Sequence, residues 1–169
     1  MQMQIELRDI LFENVYSVMK LSPAKSQLPF IEFESAAETI AIAYAGMNEG
    51  CPGFLQAIYY GEMPAGIILI GRSPVEESEH EALQEYDYVY RIWTFFIDES
   101  HQNKGIGKAA LSLALKKLKG YPGAKQSPVY IQCHSENPVA LLMYKAFGFE
   151  ALGGVMIDDC YVLIRLPDT

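Results

Sequence analysis

The sequence lacks any long apolar run. No hydrophobic stretch approaches the roughly 20 residues that a helix needs to span a bilayer. Residues 1–9 alternate polar with apolar side chains instead of forming a basic and then apolar signal. We therefore expect a protein that does not enter a membrane and that acts in the cytoplasm.

Cysteine and histidine are also scarce. The three cysteines, Cys51, Cys133 and Cys160, are odd in number and widely spaced, which fits neither a disulfide framework nor a zinc site. The three histidines are equally scattered. The sequence therefore predicts reduced cysteines and no bound metal.

Positive charge is in deficit. The chain has 13 Lys and Arg residues against 21 Asp and Glu residues, which gives a formal net charge of -8. A surface that binds nucleic-acid phosphates must be basic, so this balance argues against a nucleic-acid partner and favours a cationic one. The charges are also segregated, with acidic residues concentrated in residues 76–87 and lysines in residues 104–125. One molecule can therefore offer both a cation-binding and an anion-binding region.

Strand-like and helix-like patterns alternate along the chain. Predicted strands cover residues 3–9, 54–60, 64–71, 88–97, 129–133, 149–155 and 160–166. Predicted helices cover residues 11–21, 35–47, 105–118 and 137–147, and residues 25–33 and 72–87 are predicted loops. Half of the 169 residues are hydrophobic, which is enough for a substantial core. We therefore predict a single α/β domain over residues 1–169.

The most informative pattern lies between the fourth predicted strand and the third predicted helix. Gly105 and Gly107 stand at the start of that helix, shortly after Gln102. Glycine lets a backbone approach a ligand without a clash, and the unpaired amides of a helix start attract an anion. We therefore expect a nest that accepts a pyrophosphate, helped by Lys104 and Lys108.

The glycine spacing alone is a weak signal, because two glycines near a helix start often make no more than a tight turn. The pattern has neither the third glycine of a Rossmann fingerprint nor the Gly-Lys-Ser/Thr ending of a P-loop. It therefore argues against both of those nucleotide-binding folds.

In this context the sequence resembles the GNAT acetyltransferase superfamily. The superfamily's acetyl-coenzyme A motif, Gln/Arg-x-x-Gly-x-Gly/Ala at a strand-to-helix junction, is matched by Gln102, Gly105 and Gly107. A second element is matched after the fifth predicted strand by Asn137, Ala140, Tyr144, Gly148 and Phe149. The resemblance covers nearly the whole chain. It implies the GNAT acyl-CoA N-acyltransferase fold, with a mixed central sheet of about seven strands and about four flanking helices, and transfer of an acetyl group from acetyl-coenzyme A to an amine.

A narrower similarity is to bacterial spermine and spermidine acetyltransferases. It rests on Ser26-Gln27-Leu28 with Phe30-Ile31-Glu32, and on Arg91-Ile92-Trp93 before the paired phenylalanines. It implies a small polyamine as the acceptor, and the superfamily allows a homodimer. A protein or peptide amine and an amino-bearing antibiotic are alternatives within the same chemistry. A non-catalytic acyl-coenzyme A binding module is the alternative from another class.

The resemblance also assigns residues to coenzyme binding. These are Phe95, Phe96, Ile97, Gln102, Asn103, Lys104, Gly105, Ile106, Gly107, Lys108, Asn137 and Tyr144. In the family the fourth strand splays from the fifth at a bulge, here matched around Phe95 to Ile97, and a backbone amide there faces the acetyl carbonyl. The side chains of this stretch are expected to pack in the core. Asn137 is implied to hydrogen-bond the pantetheine arm, and it can cap its helix at the same time.

The remaining roles concern proton transfer and the acceptor. Tyr144 is implied to be the general acid, because a phenol with a reference pKa of about 10 can donate to a departing thiolate. A helical aromatic residue is otherwise usually part of the core. Some polyamine acetyltransferases carry carboxylates where this chain has Trp93 and Thr94. The resemblance therefore implies that the amine loses its proton either to a carboxylate in the loop between the first two helices, Glu32 or Glu34, or to water. Glu32, Glu34 and Trp93 are expected to bind the acceptor, although the two glutamates could also be an exposed loop pair.

Overall fold

A seven-stranded sheet forms the centre of the molecule. The computed structural model describes residues 4–167, within which the strand order is β1-β2-β3-β4-β5-β7-β6. The strands are β1 (Ile5–Arg8), β2 (Gly53–Tyr60), β3 (Met63–Pro74), β4 (Tyr88–Ile97), β5 (Val129–His134), β6 (Glu150–Ile157) and β7 (Cys160–Arg165). Neighbouring strands are antiparallel except β4 and β5, which are parallel. The sheet is therefore mixed, as predicted.

Four α-helices accompany the sheet in the described part of the chain. They are α1 (Val15–Val18), α2 (Ala36–Asn48), α3 (Ile106–Leu118) and α4 (Pro138–Ala146). Short 3₁₀ helices lie at Lys25–Phe30, Glu81–Leu83 and Glu99–His101. Within residues 4–167, no helix has the length and apolar character that crossing a membrane requires. The α/β class predicted from the sequence is confirmed.

The two faces of the sheet are covered by different helices. α3 and α4 pack on one face, in a buried cluster that includes Leu111 and Tyr144. α1 and α2 pack on the other face, in a cluster that includes Val18 and Ala36. A third cluster forms where the acidic stretch after β3 inserts Leu83 against β5 and β7.

The sequence explains the positions of α2 and α3. Ser35 caps α2, because its hydroxyl accepts a hydrogen bond from the Glu38 amide at 3.1 Å. The Glu38 carboxylate in turn accepts one from the Glu34 amide at 3.0 Å. In α3 the buried residues recur three or four positions apart, so one face of the helix is apolar and packs on the sheet. Both helices lie within one residue of their predicted bounds.

β4 contains a one-residue bulge. In the register with β3, the residues on either side of Trp93 lie opposite consecutive β3 residues, so Trp93 is the extra residue. The bulge reverses the alternation of the strand: Ile92 packs on the α3 face, whereas Phe96 packs on the α2 face. The expectation of a bulge around Phe95 to Ile97 is therefore wrong in position, because the reversal precedes that stretch.

β4 and β5 diverge after a short paired stretch. Within the described residues two pairs join these strands, Tyr90 with Val129 and Arg91 with Tyr130. Within residues 4–167, the second half of β4 has no strand partner on the β5 side. A gap therefore opens in the middle of the sheet.

Some elements differ from the prediction. The predicted helix 11–21 is reduced to α1, because the Asn14 side chain accepts a hydrogen bond from the Leu11 amide at 2.7 Å and holds the preceding residues in a turn. The predicted loop 25–33 contains a 3₁₀ helix, whose few backbone bonds tolerate Pro29. β3 continues to Pro74. The predicted first strand begins at Met3, which lies outside the described residues.

Candidate active site

A cleft of about 1190 Å³ occupies the gap between β4 and β5. Its walls come from the second half of β4, the loop into α3, β5, α4 and residues 22–32, which we call the acceptor segment. The predicted site residues that line it are Glu32, Trp93, Phe95, Phe96, Ile97, Gln102, Asn103, Gly105, Ile106, Gly107, Lys108, Asn137 and Tyr144. Glu34 and Lys104, which were also predicted, do not line it. The topology thus gathers residues from distant parts of the sequence.

Backbone amides of β4 face the cleft. The Tyr90 amide donates to a carbonyl at the start of β5 at 2.9 Å, and the Asp98 amide donates to a β3 carbonyl at 2.8 Å. Amides alternate in direction along a strand, and the bulge shifts the alternation by one residue. The amides of Phe95 and Ile97 therefore point into the gap, where they can donate to a carbonyl oxygen.

The loop between β4 and α3 has the geometry of an anion nest. Asn103 and Gly105 have left-handed backbone conformations, with φ of 61° and 75°. The first hydrogen bond within α3 runs from the Ala109 amide to the Gly105 carbonyl at 3.2 Å. The amides of residues 105–108 precede that bond and have no acceptor in the helix. With the positive end of the helix they attract an anion such as a pyrophosphate.

Gly107 lies on the cleft wall beside this nest. A Cβ atom at this position would be 3.6 Å from Ile97 Cγ1 and 3.8 Å from Met143 Sδ, which are ordinary contact distances. Alanine would therefore fit, whereas a longer side chain would extend into the cleft. Lys108 is exposed on the same part of the cleft wall and adds a positive charge there.

The side chains of Gln102 and Lys104 donate hydrogen bonds to carbonyl groups in and beside the loop. Gln102 Nε2 donates to the Ile97 carbonyl at 2.9 Å and to Gln27 Oε1 at 2.7 Å. Lys104 Nζ donates to the Ser100 carbonyl at 2.9 Å. The Lys104 ammonium group is therefore held at a loop carbonyl and does not line the cleft, and its predicted role in coenzyme binding stays a prediction.

Asn137 and Tyr144 bring α4 to the cleft. The Asn137 side chain accepts a hydrogen bond from the Ala140 amide at 3.2 Å and so caps α4. Its Nδ2 group is left to donate to a ligand. Tyr144 is 4% exposed and is the buried residue of α4, with its ring edge-to-face on Phe149 at a centroid distance of 5.6 Å. These positions are compatible with the predicted roles of Asn137 and Tyr144 in coenzyme binding.

The environment of the Tyr144 hydroxyl keeps it protonated. Burial, and secondarily the neighbouring Cys133, raise the pKa of Tyr144 well above its usual range. No residue in 4–167 forms a hydrogen bond with this hydroxyl, yet no buried side-chain nitrogen or oxygen in that part of the chain lacks a partner. The hydroxyl is therefore reachable from the cleft. It can donate a hydrogen bond to a ligand atom there.

Three carboxylates gather at the other end of the cleft. Glu32 follows the 3₁₀ helix of the acceptor segment, Glu136 lies between β5 and α4, and Asp158 lies in the turn between β6 and β7. All three are exposed, and none belongs to an ion pair among the described residues. Burial raises the pKa of the nearby Cys160 thiol, and the carboxylates of Asp158 and Glu32 add to that shift. This end of the cleft is therefore negatively charged.

Arg91, which also lines the cleft, is already paired. The Arg91 guanidinium donates to Glu79, which comes from the acidic stretch after β3. It also lies over the Tyr130 ring, with its Cζ atom 4.1 Å from the ring centroid. Aromatic side chains of Phe30 and Trp93 complete the walls. The arrangement suits a ligand that is both cationic and partly apolar.

Sequence reasoning missed two of the three carboxylates. Asp158 lies between the predicted strands 149–155 and 160–166, and Glu136 lies between the predicted strand 129–133 and the helix 137–147, so neither belonged to a pattern. Glu34 was predicted to bind the acceptor but lies at the start of α2, where its amide bonds to Glu38. In the described part of the chain, no group of three or more His, Cys, Asp or Glu residues could hold a metal ion.

Comparison with known proteins gives this geometry a context. The acetyltransferase (GNAT) family matches residues 18–149. Spermine/spermidine N(1)-acetyltransferase of Bacillus subtilis is 24% identical over 170 residues, which cover 96% of this chain and 99% of that protein. N-alpha-acetyltransferase RimI of Mycobacterium tuberculosis is 29% identical over 89 residues, which cover 53% of this chain and 45% of that protein. The crystal structure of PaiA N-acetyltransferase from Thermoplasma acidophilum in complex with coenzyme A has the same fold, with a TM-score of 0.66, 14% identity and coverage of 97% and 99%.

Proposed function

This chain belongs to the acetyltransferase (GNAT) family and is an acetyl-coenzyme A dependent N-acetyltransferase, and we propose that its acceptor is a polyamine such as spermidine or spermine. The observation that carries the proposal is the set of carboxylates on Glu32, Glu136 and Asp158 at one end of the cleft. A polyamine places several ammonium groups along an apolar chain, which matches separated carboxylates between aromatic walls. The name of the Bacillus subtilis relative supports the same class of acceptor.

The proposed reaction uses both ends of the cleft. Bound acetyl-coenzyme A supplies a thioester, whose C–S bond is replaced by a C–N bond to the amine. The amides of Phe95 and Ile97 are proposed to donate to the carbonyl oxygen, which gains negative charge as the amine attacks. Tyr144 is proposed to donate its proton to the departing sulfur, and the proton that the attacking nitrogen loses as the amide forms is proposed to restore the phenol. Lys108 and the nest hold the pyrophosphate.

The amine must lose a proton before it attacks. An alkylammonium has a pKa near 10, so it is almost wholly protonated at pH 7. Glu32 is proposed to accept that proton directly or through water, since it is an exposed carboxylate that lines the cleft. Glu136 and Asp158 are proposed to bind the distal ammonium groups, which stay charged throughout.

A thiol-release assay with purified protein and acetyl-coenzyme A tests the acceptor. The amines are spermidine, spermine, a diamine, a monoamine of similar length, a peptide with a free N-terminus and an aminoglycoside. Spermidine should show a higher kcat/KM than the monoamine. If all polyamines are inert while the peptide or the aminoglycoside reacts, the polyamine proposal is wrong.

Two variants with a matched control localise the preference. Glu136→Gln and Asp158→Asn should each lower kcat/KM for spermidine by about fivefold, the loss expected for one exposed ion pair of about 1 kcal/mol. The monoamine should be affected little, because it has no distal ammonium group. Glu34→Gln removes a nearby charge outside the cleft and should leave the preference unchanged.

A protein or peptide amine is the second candidate. The similarity of half the chain to N-alpha-acetyltransferase RimI favours it. The carboxylates of the cleft could also attract the ammonium group of a peptide N-terminus. The peptide arm of the assay distinguishes the two, because a peptide lacks the regularly spaced distal charges of spermidine.

The proposal includes a cytoplasmic location and a homodimer. All three cysteines are unpaired, as expected where the compartment keeps thiols reduced. Cell fractionation checks the location. Light scattering after size-exclusion chromatography checks the dimer, for which a mass near twice the 18.9 kDa of the chain is expected.

A further inference from the structure

The acceptor segment is tied to the coenzyme loop by three hydrogen bonds. The Ser22 amide donates to Asp98 Oδ2 at 3.0 Å, and the Glu99 amide donates to the Ser22 carbonyl at 3.0 Å. Farther along the segment, Gln27 Oε1 accepts from Gln102 Nε2 at 2.7 Å. A segment that carries Glu32 at one end therefore contacts the loop that holds the anion nest.

The ends of the segment are packed, since Pro23 is buried and Ile31 contacts the α2-face cluster, but its middle has little packing of its own. Its 3₁₀ helix, Lys25–Phe30, has no buried residue and no side-chain cap. Phe30 contacts the His134 ring at a centroid distance of 4.9 Å, which anchors the far end. Within the 3₁₀ helix, Gln27 supplies the side-chain hydrogen bond that joins the segment to the loop.

Gln102 connects the two sides through a single amide group. Its two Nε2 hydrogens are both used, one on the Ile97 carbonyl and one on Gln27. The Ile97 carbonyl belongs to the end of β4, directly before the loop. A ligand that restrains this loop therefore also restrains the Gln102 amide group, to which Gln27 is hydrogen-bonded.

We propose that Gln27 is a positioning residue that couples coenzyme binding to amine binding. A coenzyme held by the nest restrains the loop and Gln102, which in turn restrains Gln27 and the Glu32 carboxylate farther along the segment. Coupling of this kind is reciprocal, so the amine strengthens coenzyme binding by the same factor. One neutral hydrogen bond corresponds to a coupling of about fivefold.

Hydrogen exchange tests the coupling without any amine. Deuterium uptake by a peptide that covers residues 22–32 is measured with and without saturating coenzyme A. Coenzyme A should slow exchange in this segment about fivefold. Absence of any slowing in the wild-type protein would overturn the proposal.

Two substitutions at Gln27 separate the bond from general packing. Gln27→Met keeps the length of the side chain but removes the acceptor oxygen, so most of the slowing should disappear, although the two bonds of Ser22 remain. Gln27→Glu keeps an acceptor oxygen at the same reach, so the slowing should persist. Wild-type slowing in the Met variant, or its loss in both variants, would refute a role for the hydrogen bond. Equal thermal midpoints show that the two variants are equally folded.

A second measurement follows the amine and rests on the proposed function. Calorimetry gives the Kd of spermidine with and without coenzyme A, and coenzyme A should lower it about fivefold in the wild type and in Gln27→Glu. Gln27→Met should show the same Kd in both conditions. If spermidine does not bind at all, the proposed acceptor is wrong, while the exchange experiment still decides whether the coupling exists.

Discussion

Replacement of Tyr144 by Phe is the sharpest test of the proposed chemistry. The substitution removes one oxygen atom and keeps the ring that packs edge-to-face on Phe149. Because the hydroxyl has no protein partner within residues 4–167, its loss leaves no buried donor or acceptor unsatisfied. We therefore expect the thermal midpoint to stay close to that of the wild type.

The expected kinetic effect is large. A positioned proton donor typically contributes 100-fold to 10,000-fold to the rate. Because burial raises the pKa of Tyr144, full transfer of its proton costs more free energy than it would for a free phenol. We therefore expect the rate to fall by about 100-fold, near the lower bound. The loss should appear in kcat, and the affinity for coenzyme A should change little, since the nest lies elsewhere in the cleft.

The pH profile carries independent information. The raised pKa of Tyr144 means that the phenol stays protonated well above its usual value of about 10. Activity should therefore rise with pH as the amine loses its proton, and Tyr144 should impose no descending limb below about pH 10. Tyr144→Phe should show the same shape at lower amplitude.

Stopped assays of thiol release between pH 7 and 10 give both results. Tyr121→Phe is the matched control, because burial also raises the pKa of Tyr121 but this residue does not line the cleft. Wild-type turnover in Tyr144→Phe would exclude the proton-donor role. A descending limb below pH 10 that disappears in the variant would refute the argument from burial.

Further substitutions test other parts of the structure. Gly107→Leu should weaken coenzyme A binding at least tenfold in calorimetry. Gly107→Ala should bind coenzyme A within about threefold of the wild type, because its Cβ meets only ordinary contacts. Equal affinity of the Leu variant and the wild type would remove the loop from the site. Added salt should reduce the preference for spermidine over a monoamine, because exposed charges are screened over about 10 Å at 0.1 M ionic strength. Glu32→Gln should show how much of the preference that persists in salt depends on that carboxylate. Ser35→Ala should lower the free energy of unfolding by about 1 kcal/mol in urea denaturation, through loss of the α2 cap; an unchanged midpoint would contradict the assigned cap.

Local patterns predicted the elements that depend on neighbouring residues. β4 spans the stretch that aromatic and β-branched residues indicated. α2 begins after the serine cap, and α4 begins after Asn137 with Pro138 in its first turn. The loop before α3 follows from glycine chemistry, since Gly105 does adopt a left-handed conformation.

The acceptor end of the cleft could not be predicted in the same way. Glu136 and Asp158 are separated by α4 and β6 in the sequence, and they meet the acceptor segment only because β5 and β7 are paired beside the gap. The position of the bulge depends on register with β3, which no local pattern reports. The hydrogen bond of the Lys104 ammonium group to the Ser100 carbonyl was likewise not indicated by the local sequence pattern.

The two residue pairs between β4 and β5 also make a seam through the molecule. On one side of it β1 to β4 form a continuous antiparallel meander, and on the other side β5, β7 and β6 form a smaller block. Such blocks are natural units of partial unfolding, and the strand pairing that resists their separation is short. A ligand in the cleft contacts both blocks and so opposes their separation, by about 2.7 kcal/mol at a concentration 100 times its Kd. Bound coenzyme A should therefore resist mechanical separation of the two blocks. In single-molecule pulling across the seam, the unfolding force should be higher when coenzyme A is bound.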